Sequence, residues 1–340
     1  MMKELDIEKL QTILATKKKI TLLPHKNPDG DALGSCLALY TYLKEKHDVK
    51  VISPNDYPQF LKWLPHHEQI EIFEGGYKGD MRRFIQNSDL IFILDFNALH
   101  RIDELGNIVE NSKGLKVMID HHEQPEEFDI MYSDPSMPAT AEMMYYFIEK
   151  LAGKESFNKD IATCLYTGIM TDTGSFRYPS TSSNTHRVIA NLIELGAEKT
   201  EIHGNIYDSN TISRFKLIGK ALQNLVVLND LRTSYITLSS KELQECNYKK
   251  GDTEGIVNYG LALSGIVFTA IFIEDREKGI IKISLRSKGD FDVNQFSRNH
   301  FDGGGHINAA GGRSELSLDE TVAKFNQIIP EYQAQLINTK

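Results

Sequence analysis

Runs of apolar residues without polar alternation recur through the first half of the chain: ITLLP at 20–24, VKVIS at 49–53, LIFIL at 90–94 and LKVMI at 115–119. Strands of that kind are covered on both faces, as in a parallel sheet flanked by helices. Helical spacing fills the intervals at about 33–46 and near 80–87, so this half reads as successive βα units. Helices are predicted next over 139–151, 160–170 and 184–195, the last with Gly196 as its cap. From about Arg214 the pattern changes to a helix, strands near 225–228, 233–238, 266–273 and 280–286, and a closing helix from Leu318. The fold class is therefore α/β in two lobes. An N-terminal parallel-sheet domain is expected over 1–195, a helical connector over 196–222 and a smaller α+β domain over 223–340. The uncharged stretch 255–273 has nearly the length of a membrane span. Its Asn258, Ser264 and Thr269, and the change at Gly265 to the β-rich run IVFTAIFI, predict instead a buried helix followed by a central strand.

Composition narrows the function. A chain of 340 residues with 41% hydrophobic and 25% charged residues is a folded protein, not a disordered or fibrous one. Its net charge of -9 argues against tight, sequence-independent binding to long nucleic acid, which depends on cations neutralising phosphates, but leaves room for a short anionic ligand. The three cysteines, Cys36, Cys164 and Cys246, are far apart and form neither a disulfide framework nor a paired metal motif. With a charged N-terminal segment that lacks an apolar core, this predicts a cytoplasmic protein with no membrane attachment.

The candidate chemistry lies where the first-half strands end. In open parallel sheets ligands bind outside the carboxyl ends of the strands. ITLLP runs into His25, Asp29 and Asp31, LIFIL into Asp95, and LKVMI into Asp120, His121 and His122, while Asp172 follows a predicted helix in TGIMTDTGSF. One acid after a strand is ordinarily a turn former or helix cap. Three strand ends delivering acids and imidazoles to one edge form a pattern. Four gathered carboxylates would repel one another, and two divalent cations would balance them. Carboxylates with a minority of imidazoles and no thiolate suit Mn²⁺ best, with Mg²⁺ or Co²⁺ as alternatives and structural zinc disfavoured. Paired metals clamp the attacking and leaving oxygens of an in-line phosphoryl displacement, so phosphoester hydrolysis is the reaction implied.

Taken in order, HKNPDGDALGS (25–35), DFNALHR (95–101), DHH (120–122), TDTG (171–174) and GGGHINAAGG (303–312) resemble the DHH phosphoesterase superfamily across nearly the whole chain. The resemblance implies that His25, Asp29 and Asp95 hold one cation and that Asp31, Asp95, His121 and Asp172 hold the other. It places Asp120 as an acceptor orienting an imidazole, and His122 as a phosphate contact or proton donor to the leaving group. The glycine-rich segment, read as a loop, belongs by the same resemblance to a C-terminal substrate-binding domain, with Gly304 and His306 at the substrate and Arg286 as a phosphate clamp. Arg101 is assigned equally to substrate contact and to holding the Asp95 loop. The remaining histidines, His47, His66, His67, His100, His186, His203 and His300, are read as surface or core residues.

Within the superfamily, a chain of this size resembles the stand-alone branch that degrades short oligoribonucleotides of about two to five nucleotides and dephosphorylates 3′-phosphoadenosine 5′-phosphate. The partners implied are short single-stranded oligonucleotides and nucleotide bisphosphates, and a homodimer is compatible with the reading. The alternatives are a phosphodiesterase for cyclic or linear diadenylate and, outside enzymes, a nucleotide-binding regulatory module.

Overall fold

Strands β1 (Lys19–Pro24), β2 (Asp48–Ser53), β3 (Ile70–Ile72), β4 (Leu90–Leu94), β5 (Leu115–Asp120) and β6 (Ile130–Ser133) form a six-stranded, wholly parallel sheet in the order β3-β2-β1-β4-β5-β6. The four longest are the strands expected from the sequence. Their lack of polar alternation has a direct cause: side chains alternate between two cores. In β4, Leu90, Phe92 and Leu94 face one cluster while Ile91 and Ile93 face another, and all five are fully buried. Helices α1 (Glu4–Leu14), α2 (Gly30–Leu43), α3 (Lys78–Gln86), α4 (Glu104–Glu110), α5 (Thr140–Ala152), α6 (Lys159–Asp172), α7 (Ser183–Glu194) and α8 (Lys199–Tyr207) complete this unit. The first core takes residues of α1, α2, α5, α6, α7 and α8, and the second takes α3 and α4. Gly196 ends α7 as expected, at φ +102.

This computed structural model describes residues 4–75, 78–276 and 278–339, and the chain divides between Ser209 and Asn210. The second unit holds a six-stranded mixed sheet. Its strands are β7 (Val226–Leu228), β8 (Thr233–Leu238), β9 (Phe268–Asp275), β10 (Ile280–Ser287), β11 (Gly304–His306) and β12 (Ala309–Ser314), in the order β11-β12-β10-β9-β8-β7. The helices are α9 (Ile212–Gln223), α10 (Ser240–Glu245), α11 (Val257–Leu261), α12 (Val293–His300), α13 (Leu318–Ile328) and α14 (Gln333–Asn338). The uncharged stretch resolves into α11 and the internal strand β9, which pairs with β8 and β10. Among the described residues no helix is long and apolar enough to cross a membrane.

The glycine-rich segment corrects the sequence reading, because it is a β-hairpin and not a loop. Strand β11 pairs antiparallel with β12, with Gly304 opposite Gly311, Gly305 opposite Ala310 and His306 opposite Ala309. Glycine has low β propensity, so the composition pointed to a turn, yet pairing with β10 on the other side of β12 holds the segment in the sheet.

Candidate metal centre

The parallel strand order reverses between β1 and β4, and open sheets bind ligands in the crevice formed there. Pro24 ends β1 and delivers His25. Asp29 then caps α2, its Oδ1 accepting from the N–H groups of Asp31 (3.0 Å) and Ala32 (3.1 Å). In the first turn of that helix, Asp31 is fully buried and caps a second helix from outside. Its Oδ2 accepts the Thr140 N–H and its Oδ1 the Ala141 N–H, both at 2.7 Å, where the N-terminus of α5 favours negative charge. Leu94 ends β4 and delivers Asp95, which sits at φ +67, a conformation that costs a non-glycine residue energy and clusters at functional sites. Asp120 closes β5, followed by His121 and His122. Asp172 lies within the last turn of α6 instead of beyond it, as the sequence suggested.

Asp95 is the meeting point. Its Oδ2 lies 3.6 Å from His25 Nε2, which is 3.9 Å from Asp29 Oδ1. Its Oδ1 lies 3.5 Å from His121 Nε2, which also approaches Asp172 Oδ2 (3.5 Å) and Asp31 Oδ2 (3.8 Å). Potential ligand atoms of His25, Asp29 and Asp95 fall within 4.8 Å of one another, as do those of Asp31, Asp95 and His121. His122 Nδ1 meets Asp120 Oδ1 at 2.6 Å, beside the same Asp95.

The imidazoles show that this donor set fits cations. His25 Nδ1 is bonded to the Lys26 carbonyl (2.9 Å) and His121 Nδ1 to the Met137 carbonyl (3.0 Å). A carbonyl only accepts, so both Nδ1 atoms carry hydrogen and each neutral ring turns the Nε2 lone pair toward carboxylates. Acceptors then face acceptors unless a proton or a metal ion lies between them. Protonation shifts express the same demand. Burial lowers the proton affinity of His25, but Asp29 and Asp95 overcome it and lift its pKa to about 10. His121 is raised against burial by Asp172 and Asp95. Burial, with the charges of Asp95, Asp172 and Asp29, drives Asp31 well above the usual carboxylate range. Asp29 is held low, burial being outweighed by His25 and the α2 N–H groups. His122 differs, since burial pushes it down to about 3, with His121, Arg101 and His25 adding to the effect against the pull of Asp95. Oxygen and imidazole donors of this kind could hold divalent cations.

Arg101 lies in the turn Leu99–Ile102 after β4, near enough to depress His122, and its carbonyl accepts from Lys26 N–H at 3.0 Å. In the second unit, Arg286 on β10 and His306 on β11 both register with Ala309 of the intervening β12. Residues opposite one another in antiparallel pairs share a face, so Arg286 and His306 form one row across three strands. Gly304 lies two residues from His306 on the same hairpin strand, and Arg286 Nη1 donates to the Leu285 carbonyl at 2.9 Å.

Sequence reasoning missed the residues that hold this edge in place. Thr140 is fully buried, and its hydroxyl donates to Asp95 Oδ1 at 2.8 Å. Asn55, beyond β2, accepts the Asn27 N–H (2.7 Å) and donates to Asn27 Oδ1 (2.9 Å), clamping the loop between His25 and Asp29 at an Asn27 φ of +55. Gly30, Gly34 and Gly168 let α2 and α6 touch. A β-carbon at Gly34 would strike the Cys164 carbonyl, and one at Gly168 would strike Ala141 and Asp31. The only signal for Asn55 was a polar residue after a strand, in SPNDYP.

The chain is thus a doubly wound domain with an acidic crevice at its switch point, followed in sequence by a mixed-sheet domain. Residues 19–169 match the DHH family N-terminal domain and residues 234–332 the DHHA1 domain, and the chain belongs to the DHH family of phosphoesterases. It is 31% identical over 325 residues to the bifunctional oligoribonuclease and PAP phosphatase NrnA of Thermus thermophilus, covering 94% of this chain and 92% of that one. The structure of an exopolyphosphatase-related protein from Bacteroides fragilis superposes with a TM-score of 0.94 at 38% identity, over 99% of both chains. The cyclic-di-AMP phosphodiesterase GdpP of Bacillus subtilis is 26% identical over 335 residues, which span 95% of this chain and 49% of that protein.

Proposed function

We propose that this chain hydrolyses oligoribonucleotides of about two to five nucleotides to mononucleotides, and 3′-phosphoadenosine 5′-phosphate to AMP, with two bound Mn²⁺ ions. The observation that carries the two-ion reading is Asp95, whose Oδ2 faces His25 at 3.6 Å and whose Oδ1 faces His121 at 3.5 Å. His25, Asp29 and Asp95 would hold one ion, and Asp31, Asp95, His121 and Asp172 the other. Bound there, the ions would supply Lewis acidity and activation of the attacking water. Asp120 fixes His122 through Nδ1, so Nε2 is the nitrogen that exchanges a proton. An incoming phosphate anion raises the proton affinity of that imidazole, which then contacts the phosphate and protonates the leaving oxygen. Arg101, Arg286, Gly304 and His306 grip the remaining phosphate groups, with Arg286 as the charged clamp.

The substrate reading is supported by the likeness to NrnA over nearly the full length of both chains. The likeness to GdpP supports a second reading, hydrolysis of cyclic or linear diadenylate. One assay separates them: purified protein with Mn²⁺ and a panel of two- to twenty-nucleotide 5′-labelled RNAs, 3′-phosphoadenosine 5′-phosphate, cyclic diadenylate and pyrophosphate. Fastest turnover of the shortest RNAs and of the bisphosphate is expected. Preference for cyclic diadenylate would select the second reading, and binding without turnover of any substrate would leave a regulatory module. Arg286→Ala should keep both ions and lose about ten- to hundredfold in kcat/KM on nucleotides, but much less on bis-p-nitrophenyl phosphate.

A further inference from the structure

The two halves of the carboxylate cluster are not supported alike. Asp29, on the His25 side, is held by its own helix, through the N–H groups of Asp31 and Ala32. Two of the three acids on the His121 side, Asp31 and Asp95, are held by the first turn of α5. Thr140 N–H and Ala141 N–H take one oxygen each of Asp31, and the Thr140 hydroxyl takes Asp95 Oδ1, the oxygen 3.5 Å from His121. The other oxygen of Asp95, Oδ2, turns to His25. Thr140 therefore grips the shared carboxylate by the atom that serves one side only.

From this asymmetry we propose that Thr140 is a positioning residue for the second cation site alone. Its hydroxyl proton occupies one lone pair of Asp95 Oδ1 and fixes the direction of the other, while its N–H does the same for Asp31 Oδ2. The carboxylate oxygens on this side thereby point one remaining lone pair each toward His121 Nε2 before any ion arrives. Among the described residues, the contacts of the first site, His25 with Asp29 and Asp95 Oδ2, run to one another, to Lys26 and to α2, not to α5. Thr140 is fully buried and replaces its lost contact with nothing if the hydroxyl is removed, whereas its backbone N–H survives substitution. The inference rests on the two-ion reading of this site.

The test is titration of the full chain with Mn²⁺, followed by loss of the free-ion electron paramagnetic resonance signal, for wild type, Thr140→Val and Thr140→Ser. Wild type should bind two ions. Thr140→Val, of nearly the same shape, should weaken one binding event by about ten- to hundredfold, the range for partners that orient metal ligands, and leave the other within about twofold. Thr140→Ser, which keeps the hydroxyl, should restore both. Unfolding of the three proteins without metal checks that each is folded. Equal weakening of both events in Thr140→Val, or no weakening of either, would overturn the proposal while leaving the two-ion reading intact. Failure of wild type to bind a second ion would overturn that reading, and the proposal with it.

Discussion

The two edges of the parallel sheet use the same residue types in opposite ways. At the amino edge, Asp89 accepts the Lys19 N–H and Asp129 the Lys116 N–H, each at 2.8 Å, while His47 Nδ1 accepts the Lys18 N–H at 3.2 Å. Each polar side chain there answers one backbone group, and the aspartates are exposed to water. At the carboxyl edge, Asp31, Asp95, Asp120, His121 and His122 are buried and face one another. Aspartate and histidine therefore mark a cap at one edge and a cation site at the other. What separates the two roles is convergence, which only the strand order produces.

The sharpest way to break this comparison is to remove one aspartate from each edge. Asp95→Ala should abolish hydrolysis and the uptake of both ions, measured by metal analysis after dialysis, because both groups of ligands share it. Retention of two ions with normal turnover would show that crowding at this edge has another purpose. Asp120→Asn should keep two ions and lower kcat by about ten- to hundredfold, since it weakens the bond that orients His122. Loss of an ion would instead make Asp120 a ligand. At the amino edge, Asp89→Ala should leave turnover unchanged and cost about 1 kcal/mol, or about 2–4 °C in Tm, for one backbone partner. The smallest effect concerns His47. Burial, together with Lys46 and Lys18, lowers its pKa in the folded chain. The unfolded chain then takes up the proton first as pH falls, so the stabilising contribution is present above about pH 6.5 and is lost below it. Thermal unfolding of His47→Gln between pH 7 and pH 5 should decline less than that of wild type.

The carboxyl edge was legible in the sequence because β1, β4 and the end of β5 are buried on both faces, and an acid or imidazole directly after such a run is conspicuous. His25, Asp95, Asp120, His121 and His122 were visible in that way, and Asp29 and Asp31 follow within seven residues of the first run. Thr140 was not. A threonine at a helix start looks like a cap, and nothing local reveals that its hydroxyl turns away to Asp95, 45 residues distant in sequence. Strands β3 and β6, of three and four residues, are too short to show a period. The hairpin at Gly304 was hidden for the opposite reason, since its conformation is imposed by neighbours and not by its own composition.

The contact between α2 and α6 carries a mechanical consequence. Asp31 rides in the first turn of α2 and Asp172 in the last turn of α6, and the two helices meet through Gly34 and Gly168 with backbone against backbone. The gap between the two acids is thus gauged by the closest approach two helices can make, with no side chain acting as a spacer. A methyl group at Gly34 would strike the Cys164 carbonyl and wedge α2 from α6, while one at Gly168 would strike Ala141 of α5 and Asp31 itself. The acid spacing is therefore a tolerance set by hard contact, adjustable in one direction only, and a lineage or a designer seeking a narrower one would have to begin from another pair of helices.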